Sequence, residues 1–136
     1  MTSKVVYNGE LRTVATHLRS GSEIETDAPV DNKGKGERFS PTDLVATALA
    51  SCILSTVGIA ANTHNFNIDG AYCDVGKIML ADPRRIGEIK VDFYLPKGMN
   101  YSDKEKTIIE RSALTCPVAI SLHPDLKKTI TINFQI

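Results

Sequence analysis

The chain has 136 residues, enough for one domain with a modest core. Hydrophobic residues at 42% and charged residues at 24% exclude a disordered chain. The balance of 16 Lys+Arg against 16 Asp+Glu excludes the basic footprint of a nucleic-acid or anionic-membrane binder.

The N-terminal stretches KVVYN, LRTVATHLR and SEIETDA read as three short strands. Asn8-Gly9 and Ser20-Gly21 mark the turns between them, Asn8-Gly9 more strongly. The N-terminus lacks the apolar core of a signal peptide. A polar stretch, PVDNKGKGERFS, follows as a loop and a candidate lid. Its GKGER lacks the GK[ST] ending of a phosphate-binding loop.

A helix then begins at SPTD. Ser40 suits the N-cap, Pro41 the first turn, and Asp43 can reach back to the Ser40 amide. The helix is expected to run to about Asn62. Residues 44–61 carry no charge over 18 positions, the lower limit for a membrane span. About half of them are Ala, Ser, Thr or Gly, and amphipathic strands surround them, so a buried central helix is expected instead. A small sheet covers one side of such a helix. A second copy of the chain is the cheapest cover for the other, which predicts a homodimer.

From Asn67 to Pro96 strands return, broken by ADPR. Ile89, Val91, Phe93 and Leu95 alternate with polar or amphipathic residues, as in a strand buried on one side. Ser102 and Glu105 form the capping box of a second helix bearing Ile108, Ile109, Ala113 and Leu114. Pro117 stops it near Cys116, and VAISLH reads as a short helical turn. The last strand puts Ile130, Ile132, Phe134 and Ile136 on one face. The order is β-β-β-α-β-β-α-β, an α+β fold with mostly antiparallel pairing.

Three cysteines, Cys52, Cys73 and Cys116, are too few and odd in number for a disulfide-stapled secreted domain, so a reducing cytoplasm is the expected compartment. On composition alone each is a small buried hydrophobe. Cys116 precedes a helical turn whose free amides favour a thiolate. Cys52 lies 12 residues beyond the Ser40 cap, where burial disfavours the charge, so a cation from another segment has to supply the balance. Cys73, in a strand, reads as packing. His17, His64 and His123 show no metal-ligand spacing, so no metal and no cofactor are expected.

PTDLVATALASCILSTVG, followed far downstream by LTCPVAISLHPDL, resembles the OsmC/Ohr family of thiol peroxidases. THLRSGSEIETDAP, with SPTDL after the loop, is more similar to the OsmC-like branch. The resemblance implies an OsmC-like fold in an intertwined homodimer. It implies Cys52 as the peroxidatic thiolate and Cys116 as the resolving thiol, with an organic hydroperoxide as substrate and hydrogen peroxide a poorer one. It also implies a dithiol reductant, which in the Ohr branch is of lipoyl type. Arg19 matches the family arginine that stabilises the thiolate. The family glutamate after the helix-start proline is replaced by Thr42, and the acid stands one place later, at Asp43. Thr42 is ten positions before Cys52, about 80° around a helix, whereas Asp43 is nine before it, about 180° away. Asp43 is therefore a weak supporting candidate, and Thr42 offers a hydroxyl without charge. The alternative is a dimer that binds a hydrophobic ligand and has little or no peroxidase activity.

Overall fold

A computed structural model describes residues 1–135; Ile136, expected on the face of the last strand, lies outside the described residues. The elements run β1 (Ser3–Tyr7), β2 (Arg12–His17), β3 (Glu23–Asp27), a 3-10 turn (Val30–Asn32), α1 (Pro41–His64), β4 (Tyr72–Leu80), β5 (Arg85–Tyr94), α2 (Asp103–Leu114), α3 (Pro117–Ser121) and β6 (Lys127–Asn133). They fall into two units, Met1–Val45 and Ala46–Ile136.

In the first unit β1, β2 and β3 form an antiparallel meander. The first turn falls at Asn8-Gly9 but extends further, with Gly9, Glu10 and Leu11 all at positive φ. The second closes between His17 and Ser22, whose backbone groups bond at 2.8 Å, with Gly21 at φ +77°. Behind β3 the chain folds back on a polar anchor. Arg12 grips the buried Asp27 with two bonds, Nε to Oδ1 at 2.7 Å and Nη2 to Oδ2 at 2.9 Å. The Glu37 amide adds a third, to Asp27 Oδ2 at 3.1 Å. Gly34 is explained by this fold-back: a Cβ there would lie 1.6 Å from the Ala28 carbonyl oxygen. The GKGER glycine thus serves a close backbone approach.

The α1 start forms as the sequence implies. The Ser40 amide donates to Asp43 Oδ2 at 2.9 Å, and the Asp43 amide donates to Ser40 Oγ at 3.0 Å. The helix continues to His64, one turn's fraction beyond the expected end. By length and composition it could cross a membrane. It buries one stripe, made of Ala46, Leu49, Ala50, Ile53, Val57 and Ala61, rather than every side. Val45 and Ile59 stay exposed. The stripe has the three-and-four spacing of one helix face, because a single layer covers it.

That layer is the second unit's sheet, in the order β4-β5-β6. β5 is central and buries Ile89, Val91 and Phe93 completely against the α1 stripe, joined by Leu95 just past its end. Each such side chain contributes about 1.5–3 kcal/mol. β4 pairs with β5 antiparallel, while β6 pairs with β5 parallel after a crossover through α2 and α3. The α2 capping box closes through Ser102 and Glu105 as expected. Ile109 and Ala113 join the core, but Leu114, expected beside them, is exposed.

Candidate active site

Two helices of the second unit bring the chemistry together. Cys52 sits mid-way along α1, half-buried at the edge of the core stripe. Cys116 sits at the break between α2 and α3, fully buried. Pro117 makes that break: it cannot continue α2 but suits the first position of α3, so Cys116 becomes the α3 N-cap residue. The tertiary fold brings the two thiols close enough for each to shift the other's acidity.

The surroundings split their acidities. Burial is the largest single influence on Cys52 and opposes its thiolate, but the Val118 amide, the Cys116 thiol and the Thr56 hydroxyl together outweigh it. The Cys52 thiol is therefore held below its ordinary value. Cys116 is pushed the other way, by burial first and by the neighbouring Cys52 second, against the amides of Ala119 and Val118. Its sulfur closes no cap hydrogen bond of its own. One thiol is thus predisposed to be the anion and the other to keep its proton, the division of labour that a nucleophile and a resolving thiol need.

The origin of this split differs from the sequence expectation. The α3 amides were expected to serve Cys116, and Cys52 to depend on a cation. The Ala119 and Val118 amides do favour the Cys116 thiolate, but burial overrides them, and the Val118 amide also acts on Cys52, so a neutral dipole supplies part of the balance there. The sequence could not show this, because the direction of an amide depends on how α3 docks. Thr56 was also missed: it stands four residues after Cys52, one turn on, with its Oγ1 3.9 Å from the sulfur.

Arg19, Thr42 and Asp43 belong to the first unit. Arg19 lies beyond the end of β2, exposed in the turn before β3, rather than within a strand. Asp43 closes the α1 capping box, and the Thr42 hydroxyl lies 3.2 Å from that of Ser40. The arginine with an extensive polar network is Arg12, which the sequence reading passed over. Beside Asp27 it also reaches Glu37 at 3.3 Å and Glu25 at 3.7 Å. Its guanidinium holds the Asp27 carboxyl down to about 2. Among the described residues no group of histidines, cysteines and carboxylates is arranged to hold a metal.

The OsmC-like protein family model matches residues 34–131, which include α1 and both cysteines of the site. The chain belongs to the OsmC-like family. A Psychrobacter arcticus protein named for an osmotic stress induced and detoxification response shares 51% identity, over 98% of this chain and 96% of that one, with a TM-score of 0.92. Two more distant structures share the fold. A Mycoplasma pneumoniae OsmC like protein has 20% identity and a TM-score of 0.79, covering 98% and 96%. A Legionella pneumophila organic hydroperoxide resistance protein OsmC has 12% and 0.75, covering 98% and 97%. No curated protein matches the sequence. In this OsmC-like chain the paired thiols at the α1 and α3 junction are the candidate site, and Cys73 stands apart from it on β4.

Proposed function

We propose that this OsmC-like protein is a thiol-dependent peroxidase that reduces organic hydroperoxides, and hydrogen peroxide less well, in oxidative-stress defence. The observation that carries the reading is that Cys52 on α1 and Cys116 at the α3 N-cap act on each other and have opposed acidities. The Cys52 thiolate attacks the outer oxygen of the hydroperoxide. The O–O bond breaks, the sulfur becomes a sulfenic acid, and the leaving alkoxide takes a proton to depart as alcohol. The Cys116 thiol then attacks the sulfenic sulfur, expelling water and forming the Cys52–Cys116 disulfide. A dithiol reductant returns both sulfurs to thiols and leaves as its own disulfide. Because Cys116 is completely buried and Cys52 is not, the reductant attacks at Cys52.

The working form is a cytoplasmic homodimer. In the first unit Val5, Val6, Tyr7 and Ile24 are exposed on the sheet, and in the second Ile59 is exposed on α1. Apolar surface of this kind favours a second copy. For the cation that the family resemblance implies, Arg19 is the proposed residue, from this chain or from its dimer mate.

The experiment is to add one equivalent of cumene hydroperoxide to the reduced protein and count free thiols. The count drops from three to one, and a Cys52→Ser protein consumes no hydroperoxide. A wild-type protein that keeps all three thiols and leaves the hydroperoxide intact fails this reading. The outcome then favours the alternative, a dimer binding an apolar ligand, to which the loss of the family glutamate at Thr42 also points.

A further inference from the structure

Helical threonines usually turn their hydroxyl back onto the chain, donating to the carbonyl four residues earlier. Three threonines of this protein do so: Thr63 to Ile59 at 3.0 Å, Thr107 to Asp103 at 3.0 Å and Thr115 to Arg111 at 2.8 Å. Thr56 does not follow them. Its hydroxyl is directed at the side chain of residue i−4, the Cys52 sulfur, at 3.9 Å. The contact is long, as contacts around a resting nucleophile often are before it is charged and engaged.

We propose that Thr56 is a catalytic residue of this site: its hydroxyl donates to the Cys52 sulfur, holding it as an anion and fixing its direction for attack. Within the second unit three groups act on this sulfur: the Val118 N–H from α3, the Cys116 S–H from the α2–α3 break and the Thr56 O–H from α1 itself. All three are neutral donors. Their roles diverge when the reaction runs. Cys116 is itself a reactant, and its proton leaves when it attacks the sulfenic sulfur. The Val118 amide is fixed to the backbone of the five-residue α3. Thr56 moves with Cys52, one turn away on the same rigid helix, so its donor stays with the sulfur through every step. A thiolate has no proton to give, so the contact can have only one polarity once Cys52 ionises.

The inference rests on Cys52 being the reacting sulfur, and its test is separate from the peroxidase assay. Cys52 alkylation by iodoacetamide is followed at the peptide level as a function of pH in wild type, Thr56→Val and Thr56→Ser. Removing a hydrogen bond to a charged group lowers alkylation in Thr56→Val about tenfold below the inflection, with the two proteins converging at high pH. Thr56→Ser keeps the hydroxyl and stays within about twofold of wild type. A purely structural role would lower the melting temperature of Thr56→Val without moving its inflection. Where Thr56→Val does not fold, Thr56→Ala is read in the same way. Superimposable profiles for wild type and the hydroxyl-free variant overturn the proposal. Hydroperoxide consumption by the same proteins separates the two readings: a wild type that consumes none refutes the peroxidase function, while the alkylation profiles still decide the role of Thr56.

Discussion

Cys73 and Cys52 are the same residue, both half-buried beside the core of the second unit, yet their environments push them in opposite directions. Cys73 lies on β4, paired with Phe93 of β5. Burial, with Asp74 next in the chain, pushes its thiol up to about 11. Cys52 is also penalised by burial, but the Val118 amide, the Cys116 thiol and the Thr56 hydroxyl reverse the result. Burial alone therefore silences a thiol here. What favours the Cys52 thiolate is a set of donors that a helix junction supplies and a strand, whose amides are committed to its ladder, cannot.

The largest expected contrast is in activity. Cys52→Ser abolishes hydroperoxide consumption and Cys73→Ser leaves it unchanged, as a coupled or direct peroxide assay will read. Removal of activity in Cys73→Ser would break the comparison. The next contrast is in alkylation. At neutral pH Cys52 reacts with iodoacetamide at least about 10²-fold faster than Cys73, because a group titrating near 11 is almost wholly protonated there. The sign is fixed by the thiolate being the nucleophile: Cys73 gains reactivity only as pH rises towards 11.

A third test sharpens the role of burial. Phe93→Ala, at a fully buried position paired with Cys73, costs about 3–5 kcal/mol of stability in denaturant unfolding. It also opens the surroundings of Cys73, so that thiol titrates below its wild-type value while the Cys52 profile changes little. The smallest effect is in the first unit. Asp27 titrates near 2 in the folded protein, below its ordinary 3.8, because Arg12 holds its charged form. The Arg12–Asp27 anchor therefore contributes fully above pH 3.8 and is lost as pH falls through about 2. NMR shifts of the Asp27 and Glu37 amides report that loss, and Asp27→Asn produces a similar weakening at neutral pH.

Much of the fold was legible because local chemistry determined it. The boxes at Ser40–Asp43 and Ser102–Glu105 start both long helices, and the alternation of Ile89, Val91, Phe93 and Leu95 marks the central strand. The cysteine pair was legible through its family resemblance rather than its spacing, since 63 residues of chain separate the two. Three features depended on tertiary placement. The parallel pairing of β6 with β5 follows from the α2–α3 crossover, not from any strand pattern. The α1 face left open by the sheet is invisible in a helix whose apolar residues occur all round. One donor at Cys52, the Val118 amide, comes from a segment whose amides the sequence assigns to Cys116. Thr56 lay within reach of sequence reasoning, at i+4 from the sulfur, but in an apolar run a threonine reads as helix filler.

The central claim is tested most directly by a peptide map of the protein oxidised with one equivalent of cumene hydroperoxide and blocked before digestion. A single cross-linked species joining the Cys52 and Cys116 peptides within one chain, with Cys73 recovered as the blocked thiol, is the result expected. A disulfide through Cys73, or three blocked thiols after oxidation, contradicts it.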